Sequence, residues 1–163
     1  MQIDFRQEIK EMFDERGHWI VLRQAYAGRL CPCVQPTTKE ALKDCNLCLS
    51  SGRAFVDRFT KCRKSRKVRL TQTIGFEFAT AVGTTAPPDA IFYLEHYIRP
   101  TTVDYILEIA LSTEDAEPLT PFKIISVYDI SDVREQRDQR GRLEYYAVSG
   151  ERKSWPEFTM TEI

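Results

Sequence analysis

The chain has 163 residues, with 23 Lys and Arg against 24 Asp and Glu and a formal net charge of −1. That length supports one globular domain with its own core, or one domain with a small appendage. A hydrophobic fraction of 42% with only 7 Gly and 8 Pro excludes collagen-like, low-complexity and disordered classes, and the near-neutral balance excludes a uniformly basic coat for nucleic acid or membrane, so any electrostatic role must be local.

Residues 3–16 predict an amphipathic helix, because Phe5, Ile9, Met12 and Phe13 recur at helical spacing between charged residues. Asp4 fits the N-cap, with Gln7 as its capping-box partner, and Gly17 fits the C-cap. The apolar stripe packs either on the domain or on another subunit. The start MQIDFRQEIKEMF has no basic segment followed by an apolar one, so a secretory leader is not expected. No run approaches the ~18 apolar residues of a membrane helix. A reducing cytoplasm is the expected place of synthesis. HWIVLRQAY (18–26) is β-branched and aromatic and reads as a strand.

The cysteines come next. Cys31, Cys33, Cys45 and Cys48 crowd into one short segment, while Cys62 stands apart. Five is an odd number, which argues against a closed set of intrachain disulfides. A C-P-C turn and a C-N-L-C turn can each supply one edge of a tetrahedron, the arrangement that Zn²⁺ prefers. Gly52, soon after Cys48, suits a knuckle whose backbone N–H groups point at sulfur. Arg29, Lys39, Lys43 and Arg53 would offset the thiolate charge and favour ionisation. Reduced cysteines without metal, a disulfide pair, or a catalytic metal or iron–sulfur site are the alternatives. Cys62 either replaces one of the ligands or packs as a small hydrophobe.

From Arg53 onward the texture is β. RAFVDRFTKC, KVRLTQTI, AIFYLEHYI, DYILEIAL, FKIISVYDI and RLEYYAVSG are separated by turn-like or charged stretches. Val68, Leu70 and Ile74 share one face of their strand, interrupted by Gln72; Tyr105, Leu107 and Ile109 share one face of theirs, with Ile106 and Glu108 opposite. Short strands without helical patterns between them predict a mainly β fold: a small antiparallel barrel or sandwich with an N-terminal helix. GTTAPPDA (83–90) reads as a loop, since Pro87 and Pro88 cannot continue a ladder. SDVREQRDQRGR (131–142) reads as a hairpin tip or a short exposed helix. The expected organisation is a helix and lead-in strand over 1–30, a knuckle over 31–52, the β body over 53–150 and a tail over 151–163.

One stretch is strongly basic. Arg58, Lys61, Arg63, Lys64, Arg66, Lys67 and Arg69 face a single acid, Asp57, and a hairpin turn is expected near Lys64–Ser65. The run is either a solvated loop, a surface for an acidic protein partner, or a phosphate-contacting surface for nucleic acid. No G-x-S-x-G, Walker, H-E-x-x-H or G-x-G-x-x-G motif is present. Glu95 and Asp104 flank a turn-like stretch and read as solvated carboxylates rather than general acids. An enzyme is not expected.

The stretches AIFYLEHYIRPTTVDYILEIAL and PFKIISVYDISDVREQRDQRGRLEYYAVSGER carry a wider pattern. Asp104, Ile106 and Glu108 stand in a first strand, Phe122, Ile124 and Val127 in a second, and Tyr145 and Tyr146 in a last one after a charged excursion. Over residues 90–152 this resembles the head-closure (stopper) or head–tail connector group of tailed-bacteriophage neck proteins; the cysteine knuckle departs from the simplest members. The resemblance implies a non-enzymatic subunit of a homo-oligomeric ring in the virion neck, assembled in the host cytoplasm. Its partners would be a portal-side or adaptor protein and a tail protein, with non-specific contact to packaged DNA. A zinc-ribbon nucleic-acid-binding module is the alternative reading.

Overall fold

The computed structural model describes residues 4–66 and 89–160. The expected strand over 67–74, most of the loop over 83–90, and the basic residues Lys67 and Arg69 lie outside the described residues.

Helix α1 spans Phe5–Arg16. The Asp4 side chain caps it by accepting from the Arg6 N–H at 3.3 Å. The reciprocal half of a capping box does not form: the Gln7 amide donates to Glu11, one turn on, at 3.1 Å. Ile9 and Phe13 face the core, while Phe5 is 53% exposed. At the C-cap the Gly17 N–H donates to the Phe13 carbonyl at 2.9 Å, on extended backbone. A Cβ at Gly17 would run into that same carbonyl oxygen, so the close approach requires glycine. Arg6 ties the helix to the body through the Leu143 carbonyl, at 2.6 Å.

The strands are β1 (His18–Leu30), β2 (Arg53–Arg66), β3 (Ala90–Glu95), β4 (Tyr105–Ile109), β5 (Phe122–Arg137), β6 (Leu143–Lys153) and β7 (Phe158–Met160). All their pairings are antiparallel. The order β1-β2-β3-β6-β5-β4 returns to β1, so the sheet closes on itself, and β7 adds to the start of β5. The fold is therefore mainly β and antiparallel, with an N-terminal helix and a four-cysteine cluster.

Strand alternation sends side chains to both sides of this closed sheet, and over the middle of β1, most of β4 and the middle of β5 both sides are buried. Inside, Ile20, Leu22, Phe92, Ile106, Tyr146 and Val148 form one cluster. Outside β1, β4 and β5, a second cluster joins Val21, Leu107, Ile124 and Val127 to Leu49 of the cysteine segment and Phe158 of β7. The predicted division of β4 holds: Tyr105, Leu107 and Ile109 face the outer cluster and Ile106 the inner one.

Two local expectations are corrected. No turn occurs at Lys64–Ser65: β2 continues, and Arg63–Arg66 pairs with Tyr93–Ala90. The stretch lacks turn chemistry, and the inward Lys64 is satisfied within the closed sheet. Its Nζ lies 2.6 Å from Glu108 Oε1 and 2.9 Å from the Tyr128 hydroxyl, which in turn donates to Glu108 at 3.2 Å. Of the two readings of 131–142 the hairpin holds: the stretch ends β5 and turns into β6, its tip closed by the Asp138 N–H to the Arg142 carbonyl at 2.9 Å. Asp104 is buried rather than solvated, accepting the N–H groups of Ala25 and Thr101, each at 2.8 Å.

His18 stands near this inner polar group, its Nε2 3.6 Å from the buried Cys62 sulfur. Burial lowers its pKa below the usual value, with the Glu108 charge opposing and the Lys64 charge assisting. The folded state thus favours neutral imidazole. That contribution is full above the unfolded pKa, about 6.5, and is lost as pH falls through the lower folded value. Urea midpoints measured from about pH 7.5 to 5 should fall, and a His18→Gln variant should show a flatter dependence over that window.

Candidate metal centre

The cysteine segment leaves β1 at Leu30 and returns to β2 at Arg53. Its ends are stitched together, with the Cys31 N–H on the Gly52 carbonyl at 2.9 Å. The second turn closes through the Leu49 N–H on the Cys45 carbonyl at 2.8 Å and the Ser51 N–H on the Cys48 carbonyl at 3.0 Å. Leu49, Ser50 and Gly52 all take positive φ, of 51°, 67° and 74°, which wraps the chain tightly around the sulfurs.

The result brings all four predicted ligands together. The Sγ atoms of Cys31, Cys33, Cys45 and Cys48 lie within 4.8 Å of one another, and no disulfide joins them. Cys31 and Cys45 are 3.8 Å apart at sulfur, Cys33 and Cys48 3.5 Å. A tetrahedral ion with bonds of about 2.3 Å to sulfur requires separations of about 3.8 Å, so the set fits a bound metal. Cys62 is not part of this group. Burial pushes its thiol up, and the Glu108 charge adds to that, so it behaves as a packed, protonated side chain.

Backbone amides converge on the sulfurs as the knuckle pattern predicts. The Cys33 N–H faces Cys31, those of Leu47 and Cys48 face Cys45, and that of Gly52 faces Cys48. The thiols divide accordingly. Cys31 is pushed up to about 12, chiefly by burial. Cys48 also rises, from burial first and then from the neighbouring thiols of Cys33 and Cys45. Cys45 comes down to about 7: burial opposes ionisation there, but the Cys48 and Leu47 amides and the thiols of Cys33 and Cys48 outweigh it. One sulfur in the set is thus ready to ionise near neutrality, supported by donors already in place.

The sequence reading missed what fastens this segment. Arg23, on the outer face of β1, is 1% exposed. Its Nε and Nη2 donate to the Asp57 carboxylate at 2.7 and 2.8 Å, and its Nη1 to the Asn46 carbonyl at 2.6 Å. Lys153 adds a bond to the Leu49 carbonyl at 3.1 Å, and the Trp155 indole N–H one to the Asn46 side chain at 3.0 Å. The available signal was a lone arginine in the apolar run WIVLRQAY, at a position that β1–β2 register sets opposite Asp57. Leu49 joins the outer core, so the turn from Cys45 to Leu49 is anchored to the sheet rather than a loose appendage.

The basic residues are not gathered on one face. Successive β2 side chains point to opposite sides. Lys64 lies inside with Glu108, while Lys61 lies 3.8 Å from Asp14. Arg63 reaches Met12 Sδ at 3.2 Å, and Arg58 is exposed. Among the described residues no helix is long and apolar enough to cross a membrane.

Arg23→Met removes one partner of a buried ion pair and leaves the Asn46 carbonyl without its donor. Stability should fall by about 3 kcal/mol in urea denaturation, and amide exchange over Cys45–Leu49 should accelerate more than in the inner strands. A loss below about 1 kcal/mol would show that the knuckle is held by other contacts.

No protein-family model matches the chain, and no curated protein matches it.

Proposed function

We propose that Cys31, Cys33, Cys45 and Cys48 hold a structural Zn²⁺, and that the protein is a non-enzymatic assembly subunit. The observation that carries this reading is the closed set of four sulfurs, within 4.8 Å of one another and faced by backbone amides. Four cysteine ligands complete a tetrahedron and leave no position for substrate or water, which is the mark of a structural rather than a catalytic site. When bound, the ion supplies folding free energy to a segment with little core of its own. The chain's residues orient the sulfurs through the knuckle amides, and Arg23 registers the knuckle on the sheet.

The specific role we infer is that of a ring-forming head–tail connector or head-closure protein in the neck of a tailed-phage virion. Support comes from the strand pattern over 90–152, which supplies β3, β4, β5 and β6 of the closed sheet. In this reading copies of the chain form an oligomeric ring, with a portal-side or adaptor protein above, a tail protein below and packaged DNA passing through. The polar cluster of Lys64, Glu108 and Tyr128 is tied up in mutual hydrogen bonds, which suits a structural use better than a reacting centre.

Two measurements test these readings separately. Metal analysis should give about one equivalent of Zn²⁺, with Cys45→Ser losing it and Cys62→Ser retaining it; a folded protein with less than about half an equivalent would contradict a structural site. Negative-stain electron microscopy of purified protein should show closed rings, and antibody labelling should place the chain at the neck of particles. A stable monomer absent from particles would overturn the neck assignment while leaving the metal site untouched.

A further inference from the structure

β2 changes partner along its length. Arg63–Arg66 pairs with β3, whereas Arg53–Phe59 pairs with β1 on one side and with no described strand on the other. β7 is likewise an edge strand, paired only with β5. Between these two edges runs a groove of about 510 Å³. Phe55, Phe59, Phe122 and Met160 give it an apolar lining, and the Phe59 and Phe122 rings meet across it at 5.2 Å. Val56, beside it, is 54% exposed, an unusual state for a large apolar residue in mid-strand. Arg53 stands on the groove and Arg58 is exposed just beyond it; neither makes an ion pair among the described residues.

We propose that this groove receives an extended, acidic segment of a partner protein, which adds as a strand to the edge of β2 that no described strand covers. An unpaired strand edge presents alternating N–H and C=O groups at strand spacing, and only another extended backbone satisfies them in register. A helix has already used its own backbone groups and would leave the edge unpaired. The apolar lining takes alternate side chains of the incoming strand. Arg58, on the face opposite Phe55 and Phe59, selects acidic residues at the remaining positions, and Arg53, on the same face as those rings, selects one at the end of the incoming strand. A second copy of the chain is the poorer occupant. Symmetric pairing of β2 with another β2 would bring two further arginines into one ladder whose nearest acid, Asp57, is already bound to Arg23. This inference concerns the β2 edge alone and does not depend on the neck assignment.

The test uses the full-length protein, ¹⁵N-labelled, with three capped synthetic octapeptides. The first is Ac-EVTVEVTE-NH₂; the second replaces every Glu with Lys; the third is the first with alternate amides N-methylated, so that one edge cannot pair. At millimolar concentration the acidic peptide should slow exchange of alternate amides within Arg53–Phe59 by at least ~10-fold. The Lys peptide should bind at least ~5-fold more weakly, with the difference shrinking as salt rises. The N-methylated peptide should give no protection. In the double variant Arg53→Glu with Arg58→Glu, both changes at exposed positions, the preference should reverse toward the Lys peptide. No protection at β2, equal binding of all three peptides, or an unchanged preference in the double variant would overturn the proposal. Protection that grows with protein concentration in the absence of peptide would assign the edge to a second copy instead.

Discussion

Arg23 is the residue on which the arrangement turns. A guanidinium taken out of water is costly unless its donors are paired in good geometry. Here the fork meets Asp57 with two bonds, and the remaining nitrogen reaches the Asn46 carbonyl at 2.6 Å. The pairing links three things at once: β1, β2 and the turn that carries Cys45 and Cys48. Without it the cysteine turn would present unpaired carbonyls to the outer core, where water is excluded. Packing against Leu49 alone could not fix register, since hydrophobic contact is not directional.

β1 gains its importance from the same geometry. It pairs with β2 on one edge and β4 on the other, so its backbone is satisfied along the shared stretch. Its alternate side chains feed two clusters, Ile20 and Leu22 inside and Val21 outside. A strand buried on both faces loses the simple apolar–polar alternation, which is why HWIVLRQAY reads as an apolar run broken only at Arg23 and Gln24. The tail contributes in a similar way: Trp155 and Phe158 pack on the outer cluster, so the segment after β6 completes a core rather than trailing from it.

The fold class was legible in the sequence because strand texture and absent helical periodicity are local signals. The four-cysteine cluster was legible because knuckle spacing reports ligand geometry directly. What escaped was set by tertiary partners. The length of β2 past Lys64 depends on Glu108 and Tyr128, 44 and 64 residues away, which make an inward lysine tolerable. The capping box does not form because the Gln7 side chain extends along the helix to donate to Glu11 instead of reaching back to accept from the Asp4 N–H. Asp104 read as solvated because nothing local reveals that it serves the Ala25 N–H across 79 positions of sequence. The anchoring by Arg23 needed the β1–β2 register, which a charged residue in an apolar run hints at but does not fix.

The two proposed sites share a wall. Asp57 lines the groove beside β2 and is held by Arg23, which also holds the turn bearing two of the sulfurs. Order in that turn therefore bears on order in β2, and any ligand that favours one ordered arrangement favours the other. Linkage makes this reciprocal: if the metal-ordered knuckle tightens strand addition by some factor, an added strand tightens metal retention by the same factor. The size of that factor depends on how far the first half of β2 loosens when the knuckle is not held. Among the described strands only β1 pairs with Arg53–Phe59, so this stretch has fewer ladder bonds to lose than one paired on both edges. The knuckle thus bears on an edge that no described strand covers.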